Sequence, residues 1–473
     1  MIIVRKELLF ITIVVVSVIV HSGPWLYAGS NETVGPPKNE IISLEQAIQI
    51  ALTHNRSLVN SALGVTSSDL SLKSQKAEFD VKIKPQGAVN YNSATDGYWQ
   101  TGATVSRKVS TGATLSVTPL FGEIGGISTN EVDVSMSVPL LRGAGTKFSM
   151  DGVYSGTFAY ESAKLSFIQQ QAETVLQTVS AVYNSIQTQQ QVSFLEKQLD
   201  DLKKHLALAK IKERNGIINA MDLYRAEIRI QNVQEELTST NEQYANNIDA
   251  VKQVLAIPQQ QTIIVSAPVD YATVHIGLEE AQKIALKNRI ELELSAMQVK
   301  EAERQVAIAK NNLLPQLDLR LGYNVAHEED FNDLSDKRWT AALSSDTDIF
   351  RTSERNDYEK SKLSFRQVQL ERQGEEERVV QDVRFQLNSL QKQEERIQIR
   401  QEQAKQAMGK LRLAESKFRY SMANNFDLLE AQTELQKAKI DQMVETISYI
   451  IGTYSLRSSL GTLIDRKEDK ESN

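Results

Sequence analysis

The chain has 473 residues, 41% of them hydrophobic and 24% charged, with 9 prolines, no cysteine and a formal net charge of −7. This apolar content supports a packed core, and the missing cysteine excludes disulfides, thiolate metal sites, cysteine nucleophiles and a lipid-modified N-terminal cysteine. The acidic balance argues against sequence-independent nucleic-acid binding. A mean hydropathy of −0.34 excludes a polytopic helical membrane protein, but not a β-barrel, whose alternating strands are polar on average.

Arg5 and Lys6 precede an apolar run from Leu8 to Val20. As a helix the run would span roughly 20 Å, short of a ~30 Å bilayer core. Residues 1–28 therefore read as a signal peptide with Ala28 as a cleavage position; an uncleaved anchor is the other reading. Residues 29–40, with Gly35-Pro36-Pro37, read as a linker.

The remainder is duplicated. Ile42-Ser43-Leu44-Glu45-Gln46-Ala47 recurs as Ile276-Gly277-Leu278-Glu279-Glu280-Ala281. Tyr160-Glu161 and Lys164-Leu165-Ser166-Phe167 recur as Tyr358-Glu359 and Lys362-Leu363-Ser364-Phe365. Leu208-Ala209, Asn219 and Asp222-Leu223 recur as Leu413-Ala414, Asn424 and Asp427-Leu428. The interval between the last two blocks is longer in the second half by about seven residues, one heptad, which lengthens a coiled coil while nearly keeping its seam in phase. The first repeat is expected over 41–258, with helices over 43–83 and 146–256 and strands over 86–140. A linker at 259–275 leads to the second repeat over 276–463, with helices over 277–313 and 353–460 and strands over 316–349. Residues 464–473 form a charged tail.

In each repeat a long helix meets a short break and a return helix. Leu165, Ile168, Ala172, Val175, Val179, Val182 and Ile186 recur at helical spacing; the second half repeats this with Val380, Val383, Leu387, Leu390, Ile397, Ala404 and Leu411. Asn215-Gly216 supplies the first break. Asn219 and Asn424 are expected N-caps, with Asp222 and Asp427 at N3. Before each hairpin the period changes to two. Trp99, Thr101, Ala103 and Val105 alternate with polar or small residues, as do Ala113, Leu115 and Val117, then Val132 to Leu140, then Leu317 to Tyr323, then Trp339, Ala341 and Leu343. Runs of about ten such residues suit tilted membrane strands. Pro85 and Pro315 are expected to stop the preceding helices. Trp99 and Trp339 fit either an interfacial aromatic belt or sheet packing.

No enzyme motif emerges. Gly143-Ala144-Gly145-Thr146-Lys147 lacks P-loop spacing, and His21, His54, His205, His275 and His327 are scattered. No cofactor is expected.

In its repeat pattern, in Leu44-Glu45-Gln46-Ala47, Pro139-Leu140-Leu141-Arg142-Gly143-Ala144-Gly145, Phe418-Arg419-Tyr420, Asn424-Asn425-Phe426-Asp427-Leu428-Leu429-Glu430 and the closing Leu460-Gly461-Thr462-Leu463, the chain resembles the TolC-type outer-membrane efflux family. The resemblance covers about residues 40 to 465. It implies a mixed helix-and-strand membrane fold: a long periplasmic α-barrel of helical hairpins below a trimeric outer-membrane β-barrel, with about four strands per protomer. The extra alternating runs around Arg107 to Pro119 raise that to six if they join the wall; otherwise they form an inserted hairpin. It implies the exit duct of a tripartite efflux pump or type I secretion system in a Gram-negative-type outer membrane. The partners would be two further copies, a periplasmic adaptor, an inner-membrane transporter and outer-membrane lipid, with no nucleic acid. It places adaptor docking at the hairpin tips, Gly216, Ile217, Ile218 and Asn219, and Ser421, Met422, Ala423 and Asn424; turn and cap residues are the plainer reading. It places acids of the periplasmic entrance at Asp427 and Glu430, with Asp222 matching Asp427 and Arg225 standing where the first half would carry the second acid. The plainer reading there is a helix-start acid and a solvated surface. An exported periplasmic coiled-coil structural protein is the alternative function.

Overall fold

The computed structural model describes residues 41–92, 95–124, 127–215, 220–328, 336–420, 422 and 425–464. The expected signal peptide, the N-terminal linker and nearly all of the charged tail lie outside the described residues.

The chain opens with β1 (Ile41–Ser43), α1 (Leu44–His54) and α2 (Arg56–Lys76). Four strands follow: β2 (Lys82–Asn92), β3 (Thr95–Lys108), β4 (Thr114–Ile124) and β5 (Ile127–Pro139). A short α3 (Thr146–Ser149) precedes α4 (Asp151–Arg214) and α5 (Ala220–Leu255). The second half runs β6 (Ile264–Ser266), α6 (Leu278–Asn288), α7 (Ile290–Asn312), β7 (Asp318–Glu328), β8 (Asp336–Ser344), α8 (Thr352–Arg419) and α9 (Asn425–Ser459). At 64 and 68 residues, α4 and α8 each extend for roughly 100 Å. α8 passes unbroken from Phe365 to Leu413, so the extra heptad is helical.

The helices expected over 43–83 and 277–313 are each broken. At Asn55 and Arg289 the backbone leaves the helical region, with ψ 125 at both. These are equivalent positions of the two repeats. Asn55 Oδ1 caps the new helix by accepting from the Ser57 and Leu58 amides at 3.0 and 3.1 Å, while its Nδ2 donates to the Val254 carbonyl at 2.8 Å. An Asn at such a position satisfies donors that the second helix would otherwise leave orphaned. Pro85 does not stop a helix. α2 ends at Lys76, and Pro85 sits inside β2 opposite Ala103, on an edge strand, where a missing N–H is tolerated.

The repeats pack by the same rule. Ala47 and Ala51 of α1, and Ala281 and Ala285 of α6, are fully buried. α1 lies against α4 and α6 against α8; small side chains at these positions let the backbones approach. Val175, Val179, Val182 and Ile186 form the seam of α4 together with Thr174, Thr178 and Thr188. The three threonine hydroxyls donate to carbonyls one turn back in the same helix, which makes their burial affordable. In α8 the buried stripe begins at Val379 and continues through Val383, Leu387, Leu390 and Ile397; Val380 is only half-buried, one position off the seam. The parallel pair β1–β6 closes the first core.

The sheet is one continuous wall of six antiparallel strands, ordered β2-β3-β4-β5-β7-β8. Ile83, Val105, Val117, Val134, Tyr323 and Trp339 stand side by side across all six. One residue along, Lys82, Ser106, Ser116, Ser135, Gly322 and Thr340 form the neighbouring row on the opposite face. Trp339 is 77% exposed opposite Tyr323, and Trp99 donates through Nε1 to Glu123 at 3.4 Å.

A polar collar ties the wall to the helices. Asn311 Oδ1 accepts from the Gly143 amide at 2.8 Å, the Leu140 amide donates to the Leu317 carbonyl at 2.8 Å, and Gln316 N donates to Thr347 Oγ1 at 2.9 Å. Gly143 and Gly145 have φ of 78 and 91, left-handed values that glycine adopts without strain. One turn or two further down, Arg304 of α7 bridges to α4. It donates to both Glu301 oxygens at 2.8 and 2.6 Å, to Ser155 Oγ at 2.7 Å and to Asp151.

Candidate functional site

Both hairpins reverse within a few residues, between Arg214 and Ala220 and between Arg419 and Asn425. Of the expected docking residues, Gly216, Ile217, Ile218, Asn219, Ser421, Ala423 and Asn424 lie outside the described residues. Met422 is described and 76% exposed; its amide donates to the Lys417 carbonyl at 2.8 Å, which tightens the end of α8.

The flanks of the tips carry residues that the sequence reading passed over. Tyr420, Phe426, Met221 and Tyr224 are all exposed large side chains. Their signal was available: aromatics beside a helix reversal have no core to enter, so they serve a partner surface or cost solvation.

Asp427 and Glu430 lie in the first turns of α9, and both are exposed. Between them Leu428 and Leu429 turn inward and are buried, so the helix phase that seats the leucines sends the acids outward. Asp427 is the third helical residue, where a carboxylate meets the positive end of the helix dipole. Asp222 takes the matching place in α5; its side chain is outside the described set.

Glu430 has a partner on the facing helix. Lys410 Nζ stands 3.3 Å from Glu430 and 2.5 Å from Glu434. The hydrogen bond that Lys410 donates to Glu434, then the one it donates to Glu430, pushes the lysine pKa up. All three groups are well exposed, where such pairs contribute little to stability, but the lysine offsets local negative charge. On the other side the guanidinium of Arg225 lies 5.9 Å from the Phe426 ring centroid, and Arg229 donates to Thr433 at 3.1 Å. The surface around the expected acidic positions therefore carries both signs of charge. Deeper between α4 and α9, His205 shares a 2.7 Å hydrogen bond with Gln432; burial lowers its pKa, against the opposing pull of Asp201 and Glu415.

Among the described residues no cluster of three or more His, Cys, Asp or Glu could hold a metal ion, and no helix is long and apolar enough to cross a membrane.

A family model described as outer membrane efflux protein matches residues 282–462. No curated protein matches the sequence. Among solved structures, the Campylobacter jejuni CmeC outer membrane channel aligns with a TM-score of 0.70 at 13% identity, covering 90% of this chain and 87% of that one. The Vibrio cholerae outer membrane protein VceC aligns at 0.68 and 14% identity, over 88% and 96%. The Neisseria gonorrhoeae MtrE outer membrane channel, in its open state, aligns at 0.66 and 13%, over 89% of each. At these identities the likeness establishes the fold. The second half of the chain thus carries the signature of the outer membrane efflux protein family, and the described chain as a whole has the TolC-type channel fold.

Proposed function

We propose that the chain is the outer-membrane exit duct of a tripartite efflux pump or type I secretion system, working as a homotrimer with a periplasmic adaptor and an inner-membrane transporter. The observation that carries this reading is the joining of two helical hairpins, whose long arms each extend for roughly 100 Å, to a six-stranded sheet with one apolar and one polar face. A periplasmic coiled-coil scaffold has no use for such a sheet. In lipid the open edges of β2 and β8 require pairing with further copies.

In this reading the tips at Gly216–Asn219 and Ser421–Asn424 dock the adaptor, aided by the exposed Tyr420, Met422 and Phe426. Asp427, Glu430 and Asp222 line the periplasmic entrance. Lys410 moderates that acid cluster, so the entrance has a weaker preference for cations than a bare carboxylate ring would have. The test is fractionation with mass measurement. The protein should stay with outer membranes after carbonate washing and run as a trimer in detergent. Release by carbonate as a soluble species would overturn the reading.

A further inference from the structure

The resemblance to TolC-type proteins carries an expectation of about four strands per protomer, and the described residues of this chain form six in one sheet. The additional pair is β3 and β4, and three observations place it in the wall rather than outside it.

The pairing is continuous. β3 meets β4 in one unshifted register from Tyr98↔Ile124 to Lys108↔Thr114, and β4 meets β5 from Thr114↔Ser137 to Ile124↔Ile127. The faces agree as well. Val105 and Val117 fill the apolar row between Ile83 and Val134, and Ser106 and Ser116 fill the polar row between Lys82 and Ser135. Side chains on the polar face bond across the joins, Thr104 to Thr118 and Ser116 to Ser135, both at 3.1 Å. A hairpin laid over a completed barrel would have no reason to keep this alternation, because a slip of one residue inverts the faces. Lastly, the β3–β4 turn is anchored at the helix side of the sheet. The Gly145 amide donates to the Thr111 carbonyl at 3.0 Å, and a Cβ on Gly112 would stand 2.9 Å from Pro139 and 3.1 Å from the Gly143 carbonyl.

We infer that the assembled β-barrel has eighteen strands, with β8 of each copy pairing antiparallel to β2 of the next. The occupant of each open edge is thus a second copy of this chain. Direction permits this closure: strands alternate across the six, so β8 runs opposite to β2. The lengths match, at 11 and 9 residues, and both edge strands are exposed along nearly their whole described length. With strands about 4.8 Å apart and tilted about 40°, eighteen close at a backbone diameter of roughly 36 Å, against roughly 24 Å for twelve. Allowing about 5 Å of side chain at each wall, the open cross-section is about three times larger. The lining would be the polar face, with Lys84, Asp133, Arg320 and Arg338 among its residues. Such a bore passes bulkier solutes than a twelve-stranded outlet of the same family would.

This inference rests on the trimer proposed above, and the experiment separates the two. Electron cryomicroscopy of the full chain extracted in detergent counts copies and strands together. Three copies with eighteen strands, and β8 beside the neighbour's β2, is the expected result. Three copies with twelve strands, and β3–β4 folded off the wall, overturns the inference and leaves the duct reading standing. Any other number of copies overturns both the trimer and the eighteen-strand count. A variant lacking residues 95–124 gives a second readout, because β2 and β5 then pair directly with their faces still matched. Polyethylene glycols applied from the outer side should enter the native barrel and be excluded at smaller sizes from the variant. An unchanged size cut-off in a folded trimer of the variant overturns the inference; if the variant does not assemble, the strand count in the native trimer decides.

Discussion

Replacing Arg304 with Met tests the bridge between α7 and α4. The guanidinium is 15% exposed and holds Glu301, itself 17% exposed, through a two-point contact, while a further nitrogen reaches Asp151. Burial pushes the Glu301 pKa up, but hydrogen bonds from Arg304 and Gln305 and the adjacent positive charge hold it below the usual carboxylate value. Methionine removes the guanidinium that lies 6.0 Å from the Tyr154 ring centroid and leaves Glu301 with Gln305 and Ser155 as its partners. Breaking a fully buried ion pair costs about 3–5 kcal/mol; the partial exposure here, and the 38% exposure of Asp151, reduce the expected loss to about 2 kcal/mol. In a chain of this size that is a fall of a few degrees in melting temperature, read by intrinsic fluorescence in detergent. The double variant Arg304→Met with Glu301→Gln should recover part of it, because the more buried Glu301 carboxylate is then replaced by a neutral amide and only the more exposed Asp151 loses its partner. The sign with pH follows from the same pair. A carboxylate with a lowered folded pKa stabilises the protein above its unfolded value, and that contribution disappears as pH falls through the folded pKa. The gap between wild type and Arg304→Met should therefore narrow on acidification below about pH 4. A single variant as stable as wild type at neutral pH, or a double variant no better than the single, would refute this account of the bridge.

Other outcomes follow from other sites. Asp427→Asn with Glu430→Gln should lower cation selectivity in planar bilayers without loss of the trimer, and Lys410→Gln should raise it; reversal potentials in a salt gradient measure both. His205→Gln should flatten the pH dependence of the melting temperature. The native ring has a lowered pKa, so it stabilises the neutral form above the ordinary value of 6.5, and that contribution is lost as pH falls through the folded value. Gly461→Ala should destabilise the protein by about 1–3 kcal/mol, since φ there is 69 and the new Cβ would stand 2.7 Å from the Asn288 carbonyl; thermal melts report the loss. Gly102→Ala should disrupt β3–β4 pairing, because its Cβ would stand 2.1 Å from the Pro119 carbonyl; heat-dependent gel mobility of the folded barrel is the readout.

The duplication was legible because its marks are local. Leu44-Glu45-Gln46-Ala47 begins a helix through a capping box between Ser43 and Gln46, and its alanines meet α4. Leu460-Gly461-Thr462 ends α9, with the Gly461 amide donating to Ser458 and the Thr462 amide to Arg457, both at 2.9 Å, the bonding of a glycine-stopped helix. Alternation revealed the strands, though whether Arg107 to Pro119 joined the wall was settled only by register. The interruptions at Asn55 and Arg289 escaped notice because neither is Gly or Pro. Pro85 misled because proline stops helices and also tolerates sheet edges, and only the pairing of β2 with β3 distinguishes the two roles. The Lys410–Glu430 pair depends on how two helices are rotated against each other, which no short motif encodes.

The matched interruptions at Asn55 and Arg289 carry a mechanical consequence. In the first half the joint is made by a neutral amide bonded to backbone, and such contacts are insensitive to ionic strength. In the second half it is made by a guanidinium that ion-pairs with Glu291 at 3.1 Å and Asp382 at 3.2 Å and reaches the Ser458 carbonyl. Salt screens the second joint, though weakly because Arg289 is only 16% exposed, and leaves the first untouched. In the proposed trimer, joints of the two kinds would alternate around the ring of helices, and only one kind would answer to salt. Loosening by salt would therefore be confined to one joint per copy, and the tube would yield with threefold, not sixfold, symmetry.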